Sequence, residues 1–238
     1  MPTTTPGLAP PERPFRLLVF DWDGTVVDSI GAIVDCTFAA LAALGDDAPA
    51  LPPRELVRHA IGLGLMETLH RFWPEAGPEM RERVLEAYRE QWWGTYKDRF
   101  HPFLGARETL ERLRAAGYLL AVATAKSRRG LVREFERSGF EPLFHASRTV
   151  DEAPSKPHPG MLEGIFDELG VAPSEALMIG DTSWDLEMAR NARCPSVAVL
   201  SGAQSDELLI EAGPLAILPD LTALPSFLAD LQAGRILR

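Results

Sequence analysis

The sequence predicts an α/β fold, a doubly wound parallel sheet with a small all-helical segment inserted after the first strand. Three observations carry this. Short apolar runs that stop abruptly on polar or glycine residues occur at residues 17–20, 118–124, 176–180 and 196–200, as buried parallel strands do. From Pro102 onward helical periodicity fills the gaps between these runs, the alternation expected of βαβ units. Between about Ile30 and Arg99 the strand pattern disappears and only helical spacing remains.

The first strand, residues 17–20, ends on Asp21-Trp22-Asp23-Gly24-Thr25. In open α/β sheets the ligand crevice lies at the carboxyl ends of the strands, so Asp21 and Asp23 are placed where chemistry is done. Two close carboxylates repel unless a cation joins them, and an all-oxygen site suits Mg²⁺. Gly24 permits a turn other residues resist, and its N–H can face an anion.

In the inserted segment, Ile33, Val34, Phe38, Leu41 and Leu44 recur at helical spacing up to Gly45-Asp46-Asp47. Pro52-Pro53 opens a second helix through Ala60. Residues 61–65, Ile-Gly-Leu-Gly-Leu, form a turn, followed by a helix near Met66 to Phe72 and a longer one from about Pro78 to Tyr96. Four or five short helices make a small bundle, with Trp73, Trp92 and Trp93 in its core.

After Pro102, a helix over residues 106–116 stops at Gly117, and the strand at 118–124 follows. Ser127 caps a helix reaching Gly139, and Phe144-His145 begins a short strand. Pro159 opens a helix ending at Gly170. A strand at 176–180, a helix at 184–191, a strand at 196–200, the apolar run 216–218 and a helix over 221–231 complete the chain.

Three further polar sites fall at strand ends or loops. Thr124-Ala125 offers a hydroxyl and a backbone N–H that could hold a phosphate oxygen, although taken alone a Thr there more often caps a helix. In Ser155-Lys156-Pro157-His158-Pro159, prolines stiffen the chain around one ammonium, which could screen charge between Asp21 and an incoming anion. In Gly180-Asp181-Thr182-Ser183-Trp184-Asp185 the two carboxylates lie one helical turn apart and can face one spot, or serve as helix-capping and first-turn acids. Lysine is rare: of 24 basic residues only Lys97, Lys126 and Lys156 are lysines, which hints that a compact ammonium is wanted at some of these positions, Lys97 being better read as chance.

Taken together, Asp-Trp-Asp-Gly-Thr, Thr124, Lys156 and Gly-Asp-Thr-Ser-Trp-Asp resemble, in order and context, the four motifs of the haloacid dehalogenase (HAD) superfamily. The match spans roughly residues 17–200. The resemblance implies a Rossmannoid core over residues 15–29 and 100–238 and a C1-type helical cap over 30–99. Hinges are expected near Ser29-Ile30-Gly31 and His101-Pro102-Phe103. It implies that Asp21 is a nucleophile forming an aspartyl-phosphate and that Asp23 is the general acid and base. Asp21, the Asp23 carbonyl and Asp181 would bind Mg²⁺, with Asp185 behind them holding a metal-bound water or Lys156. Gly24, Thr124, Ala125 and Lys156 would hold the phosphoryl group. Arg58, His59, Gly62 and Gly64 of the cap are candidates for reading the substrate.

Haloacid dehalogenases proper lack the second aspartate, so Asp23 points to phosphate chemistry. Phosphonoacetaldehyde hydrolases need a Schiff-base lysine in the cap, and Lys97 near the hinge suits that role poorly. The motifs most resemble the phosphoglycolate phosphatase group, in which a lysine at the position of Lys126 is common; Trp22 and Ala125 depart from that group's usual residues. The implied function is phosphomonoester hydrolysis of a small metabolite such as 2-phosphoglycolate. A pyrophosphatase, a β-phosphoglucomutase-like phosphotransferase and a non-catalytic binding protein are the alternatives.

A net charge of −10 disfavours nucleic acid and anionic membranes as partners. Cys36 and Cys194 are expected to be free buried thiols in a reducing, cytoplasmic setting, no apolar run reaches membrane-spanning length, and a monomer or homodimer is expected. Five prolines in the first sixteen residues suggest a disordered tail over 1–14 rather than a signal peptide.

Overall fold

The computed structural model describes residues 13–235. Of the tail expected over 1–14, all but Arg13 and Pro14 lie outside the described residues. The predicted parallel sheet is present. Its strands are β1 (Leu17–Phe20), β4 (Leu119–Ala123), β5 (Ala146–Arg148), β6 (Ala176–Gly180), β7 (Ser196–Val199) and β8 (Ala216–Leu218). All pairings are parallel, in the order β5-β4-β1-β6-β7-β8. The chain builds outward from β1 to β5, then returns to β6 and builds the other way. That reversal makes the β1/β6 boundary the topological switch point, where such sheets hold ligands.

Strand register fixes the level of the site. Phe20 of β1 pairs with Val122 of β4 and with Ile179 of β6, so the residues just beyond, Asp21, Thr124 and Asp181, emerge along one edge. Side chains alternate through the sheet. Leu18, Phe20, Leu120, Val122, Leu177 and Ile179 enter one cluster, while Leu17, Val19, Ala121, Ala123, Ala176 and Met178 enter the other. The first is covered by α5 (Ala106–Ala115), α6 (Arg128–Ser138) and α10 (Leu224–Gln232), through Leu110, Leu113, Leu131, Phe135 and Phe227. The second is covered by α7 (Gly160–Leu169) and α8 (Ser183–Asn191), through Met161, Ile165 and Met188. A further short helix, α9 (Asp206–Glu211), inserts Leu209 between Leu186 and Ala198.

Helix ends follow local chemistry. The Ser127 hydroxyl accepts from the Gly130 amide at the start of α6, and Gly139 and Gly170 take left-handed conformations that close α6 and α7, as glycine does without a Cβ penalty.

Between β1 and α5 lie β2 (Val27–Asp28), α1 (Ile30–Ala43), α2 (Arg54–Ala60), α3 (Leu65–Phe72), α4 (Pro78–Gln91) and β3 (His101–Pro102). Leu41, Leu69, Val84 and Leu85 join Trp73 in a small core of these helices. The long helix expected to reach Tyr96 changes to a π-helical turn at Trp92–Tyr96, and there Trp92 and Tyr96 join the main sheet cluster. Beside the expected hinges, β2 and β3 pair as an antiparallel ribbon, Asp28 opposite His101. The strand expected at Phe144-His145 starts at Ala146. Phe144 belongs to the loop before it and packs against Trp22 and Phe135, so its apolar character reflects core packing rather than a strand.

Candidate active site

At the β1/β6 boundary, four charged side chains are buried together: Asp21, Lys156, Asp181 and Asp185. Lys156 Nζ lies 2.6 Å from Asp21 Oδ1 and 2.6 Å from Asp185 Oδ1. The other Asp185 oxygen reaches back to the Thr182 N–H at 3.2 Å and hydroxyl at 2.7 Å, which locks the first turn of α8. Asp181 accepts from the Thr25 hydroxyl at 2.9 Å and from the Ala203 N–H at 2.7 Å. A Cβ at Gly24 or Gly202 would run into the Asp181 carboxylate, so glycine at both positions is what lets the chain close around it.

The electrostatics are unbalanced. Three carboxylates share one ammonium. Burial pushes the Asp21 carboxyl well above the usual range despite Lys156, and burial, then the neighbouring Asp185, push Asp181 up to about 7. Burial disfavours the charge of Lys156, but Asp185 and Asp21 outweigh it and hold its pKa above the ordinary lysine value. Oxygens of Asp21, Asp181 and Asp185 lie within 4.8 Å of one another. A compact set of hard oxygen donors with surplus negative charge fits a divalent cation.

Asp23 points elsewhere. Its Oδ1 accepts from the Ser29 hydroxyl at 2.6 Å and lies 3.1 Å from Lys126 Nζ. Asp23 also lines a cavity of about 460 Å³ beneath the helical segment, with Ala125, Lys126, Gly62, Gly64 and Ser155. Asp21, Asp181 and Asp185 are not among its lining residues. The two aspartates of the first motif are therefore divided between the buried charge cluster and the cavity. Thr124 is buried at the end of β4, its hydroxyl accepting from the Lys126 N–H at 3.2 Å. The peptide between Lys156 and Pro157 is cis.

The structure corrects several expectations. The Gly24 N–H donates to the Val27 carbonyl at 2.8 Å, closing its own turn, so it is not free for an anion. Glycine is needed there for its φ of +83° and for the space it leaves Asp181. Arg58 and His59 are not among the cavity-lining residues. Arg58 donates to the Ala203 and Gly202 carbonyls, each at 2.8 Å, and the His59 carbonyl accepts from Trp184 Nε1 at 3.1 Å and Gln204 Nε2 at 3.3 Å. These residues fasten α2 to the loop after β7 and to the start of α8. Gly62 and Gly64 do line the cavity. A Cβ at Gly62 would meet Thr182 and Trp184, and the Gly64 N–H donates to Ser155 Oγ at 2.7 Å. Trp92 and Trp93 line the cavity too, whereas Trp73 does not.

Two site residues escaped the sequence reading. Glu134 is buried, 2.7 Å from Lys126 Nζ, and accepts from Trp22 Nε1 at 2.5 Å. The signal was available: a tryptophan beside the motif needs an acceptor for its indole N–H. Ala203 acts through its backbone, for which no side-chain signal exists.

Comparison with known proteins agrees with this geometry. Residues 18–199 match the haloacid dehalogenase-like hydrolase family profile. The chain is 33% identical over 208 residues to "Probable phosphatase IndB" of Dickeya dadantii, covering 84% of this chain and 88% of that protein. It is 31% identical over 219 residues to a phosphoglycolate phosphatase of Agrobacterium fabrum, covering 87% and 90%. The crystal structure of a hydrolase from Pseudomonas syringae superposes with a TM-score of 0.78 at 25% identity, covering 91% of this chain and 99% of that one. The chain belongs to the haloacid dehalogenase-like hydrolase family.

Proposed function

We propose that this protein is a Mg²⁺-dependent phosphomonoester hydrolase that works through an aspartyl-phosphate on Asp21, with a small phosphorylated metabolite such as 2-phosphoglycolate as substrate. The observation that carries the reading is the division of labour at the end of β1: Asp21 held by Lys156 in the charge cluster, Asp23 opening on the cavity. Asp21, Asp181 and the Asp23 carbonyl would hold the metal, with Asp185 behind them. When bound, the ion neutralises the carboxylates and the phosphoryl oxygens.

Asp21 attacks phosphorus in line while the ester P–O bond breaks. Asp23 gives its proton to the departing oxygen. It then takes a proton from a water whose oxygen attacks the aspartyl-phosphate, freeing phosphate and the Asp21 carboxylate. Lys156, the Thr124 hydroxyl and the Ala125 N–H hold the transferring oxygens, so that most of the rate comes from positioning and charge. The rest of the substrate occupies the cavity of about 460 Å³, ample for a small organic group. The helical segment would act as the cap that excludes bulk water.

The test is phosphate release from 2-phosphoglycolate, pyrophosphate, sugar phosphates and nucleotides, with Mg²⁺ or with EDTA. Release from a monoester only with Mg²⁺ supports the reading. Release from pyrophosphate alone, or interconversion of a sugar phosphate without net release, would replace it.

A further inference from the structure

Four side chains outside the metal-binding cluster close a ring on the first motif. Trp22 Nε1 donates to Glu134 Oε2 at 2.5 Å. Glu134 Oε1 lies 2.7 Å from Lys126 Nζ, and Lys126 Nζ lies 3.1 Å from Asp23 Oδ1. Trp22 and Asp23 are consecutive, so the ring begins and ends on adjacent residues of one turn. Trp22 is fully buried, packed edge-on against Phe135 and Phe140 at 5.2 and 6.1 Å, and Glu134 sits on the inward face of α6 with Leu131 and Phe135. Lys126 is also 4.9 Å from the centre of the Trp92 ring at the end of the helical segment.

The chemistry of the ring is specific. A surface pair would be screened and worth little. Here the Lys126 side chain is 12% exposed and that of Glu134 is 1% exposed. Burial disfavours the lysine charge, but Asp23 and Glu134 more than restore it, so Lys126 remains an ammonium. Its two carboxylate partners do different work. Glu134 is itself buried and held by the Trp22 indole through Oε2. Asp23 receives Lys126 and the Ser29 hydroxyl on the same oxygen, Oδ1. With Oδ1 occupied by an ammonium and a hydroxyl, Oδ2 is the carboxylate oxygen left for another partner.

We propose that Lys126, anchored by Glu134 and Trp22, is a positioning residue that pins Asp23 through Oδ1, so that the proton delivered to the leaving group is carried on Oδ2, toward the cavity. This rests on the phosphatase reading above. It gives Trp22, the departure from the usual motif residue, a purpose: the indole N–H orients the glutamate that orients the lysine. In the step concerned, the Asp21–phosphorus bond forms, the ester P–O bond breaks, and the Asp23 proton passes to the departing alkoxide.

The test exploits the fact that a good leaving group needs no proton. Initial rates are measured with an alkyl phosphate and with p-nitrophenyl phosphate for wild type, Lys126→Met, Lys126→Arg, Glu134→Gln and the double variant Lys126→Met/Glu134→Gln. The double variant removes a buried charge pair together, so it keeps the fold if the single change does not. Lys126→Met and the double variant are expected to lose on the order of 100-fold in kcat with the alkyl ester, the usual scale of a general acid's contribution. With the nitrophenyl ester they lose only severalfold. Glu134→Gln shifts the ratio in the same direction by less, and Lys126→Arg recovers most of it. Equal losses with both esters, or a lowered Tm with an unchanged ratio, overturn the proposal and leave the phosphatase reading intact. Absence of release by wild type from either ester, with release from no other monoester, overturns both.

Discussion

Arg58 and Ala203 join the helical segment to the charge cluster: Arg58 Nε donates to the Ala203 carbonyl at 2.8 Å, while the Ala203 amide donates to Asp181 at 2.7 Å. Arg58 also donates through Nη2 to the Gly202 carbonyl at 2.8 Å, which shares a peptide unit with the Ala203 N–H, so a guanidinium on α2 holds the peptide whose other side orients a candidate metal ligand. Groups that orient ligands commonly contribute 10–100-fold to metal affinity. Arg58→Ala should weaken Mg²⁺ binding by about tenfold, measured by calorimetry, with a small change in Tm. Lys at this position should recover little, because the two carbonyls are met by a fork that an ammonium lacks.

With Arg58 committed elsewhere, the cationic side chains lining the cavity are Arg89 and Lys126. Under the proposed phosphoglycolate reading, Arg89, which lines the cavity and lies 3.9 Å from Glu82, is the candidate to meet a second anionic group on the substrate. Arg89→Ala should raise KM for 2-phosphoglycolate by about tenfold with little change in kcat, the pattern of lost uniform binding. A neutral alkyl phosphate should be unaffected, and steady-state kinetics on the two substrates distinguish the cases.

The surplus of carboxylates makes a stability prediction. Lys156→Met leaves Asp21 and Asp185 buried without their cation and should cost about 3–5 kcal/mol of stability in urea titrations. Asp21→Asn relieves repulsion and should leave the metal-free protein at least as stable as wild type. The pH dependence follows from Asp181, whose native pKa is raised to about 7 from an ordinary 3.8. The native state then binds more protons than the unfolded chain between those values, so this group makes metal-free stability fall as pH rises from 4 to 7. Because protons compete with the cation for the same oxygens, the rise in Tm on adding Mg²⁺ should be larger at pH 8 than at pH 6.

Cys36 and Cys194 are buried free thiols, each pushed up to about 12 by burial. Neither should react with a disulfide reagent at pH 8 in the folded protein, and both should react in denaturant. Their raised native pKa favours the fold at neutral pH. That contribution is lost as pH climbs above about 8.5, where the unfolded thiols ionise first.

Much of this was legible in the sequence because strand ends and motif residues coincide. Buried parallel strands read as apolar runs, and Asp21, Lys156, Asp181 and Asp185 each sit at a stop or turn in that pattern; the fold brings them together. Parts resting on backbone or on long-range packing were not legible. Ribbons of two residues such as β2 and β3 are too short to show alternation. Glu134 on a charge-rich helix looks like any solvated glutamate until Trp22 and Lys126 close on it. Arg58 looks like a binding residue in one dimension, but its acceptors are carbonyls almost 150 positions away. Gly24 looks like an anion donor in one dimension, yet the turn consumes its N–H.

The most direct test of the mechanism is to look for the phosphoryl group on the protein. Acid-quenched samples of protein with Mg²⁺ and excess phosphomonoester, analysed by peptide mass spectrometry, should carry a phosphoryl adduct on Asp21. Asp21→Asn should show neither adduct nor phosphate release. Release that persists in Asp21→Asn, or an adduct on another residue, would contradict the assignment of Asp21 as nucleophile.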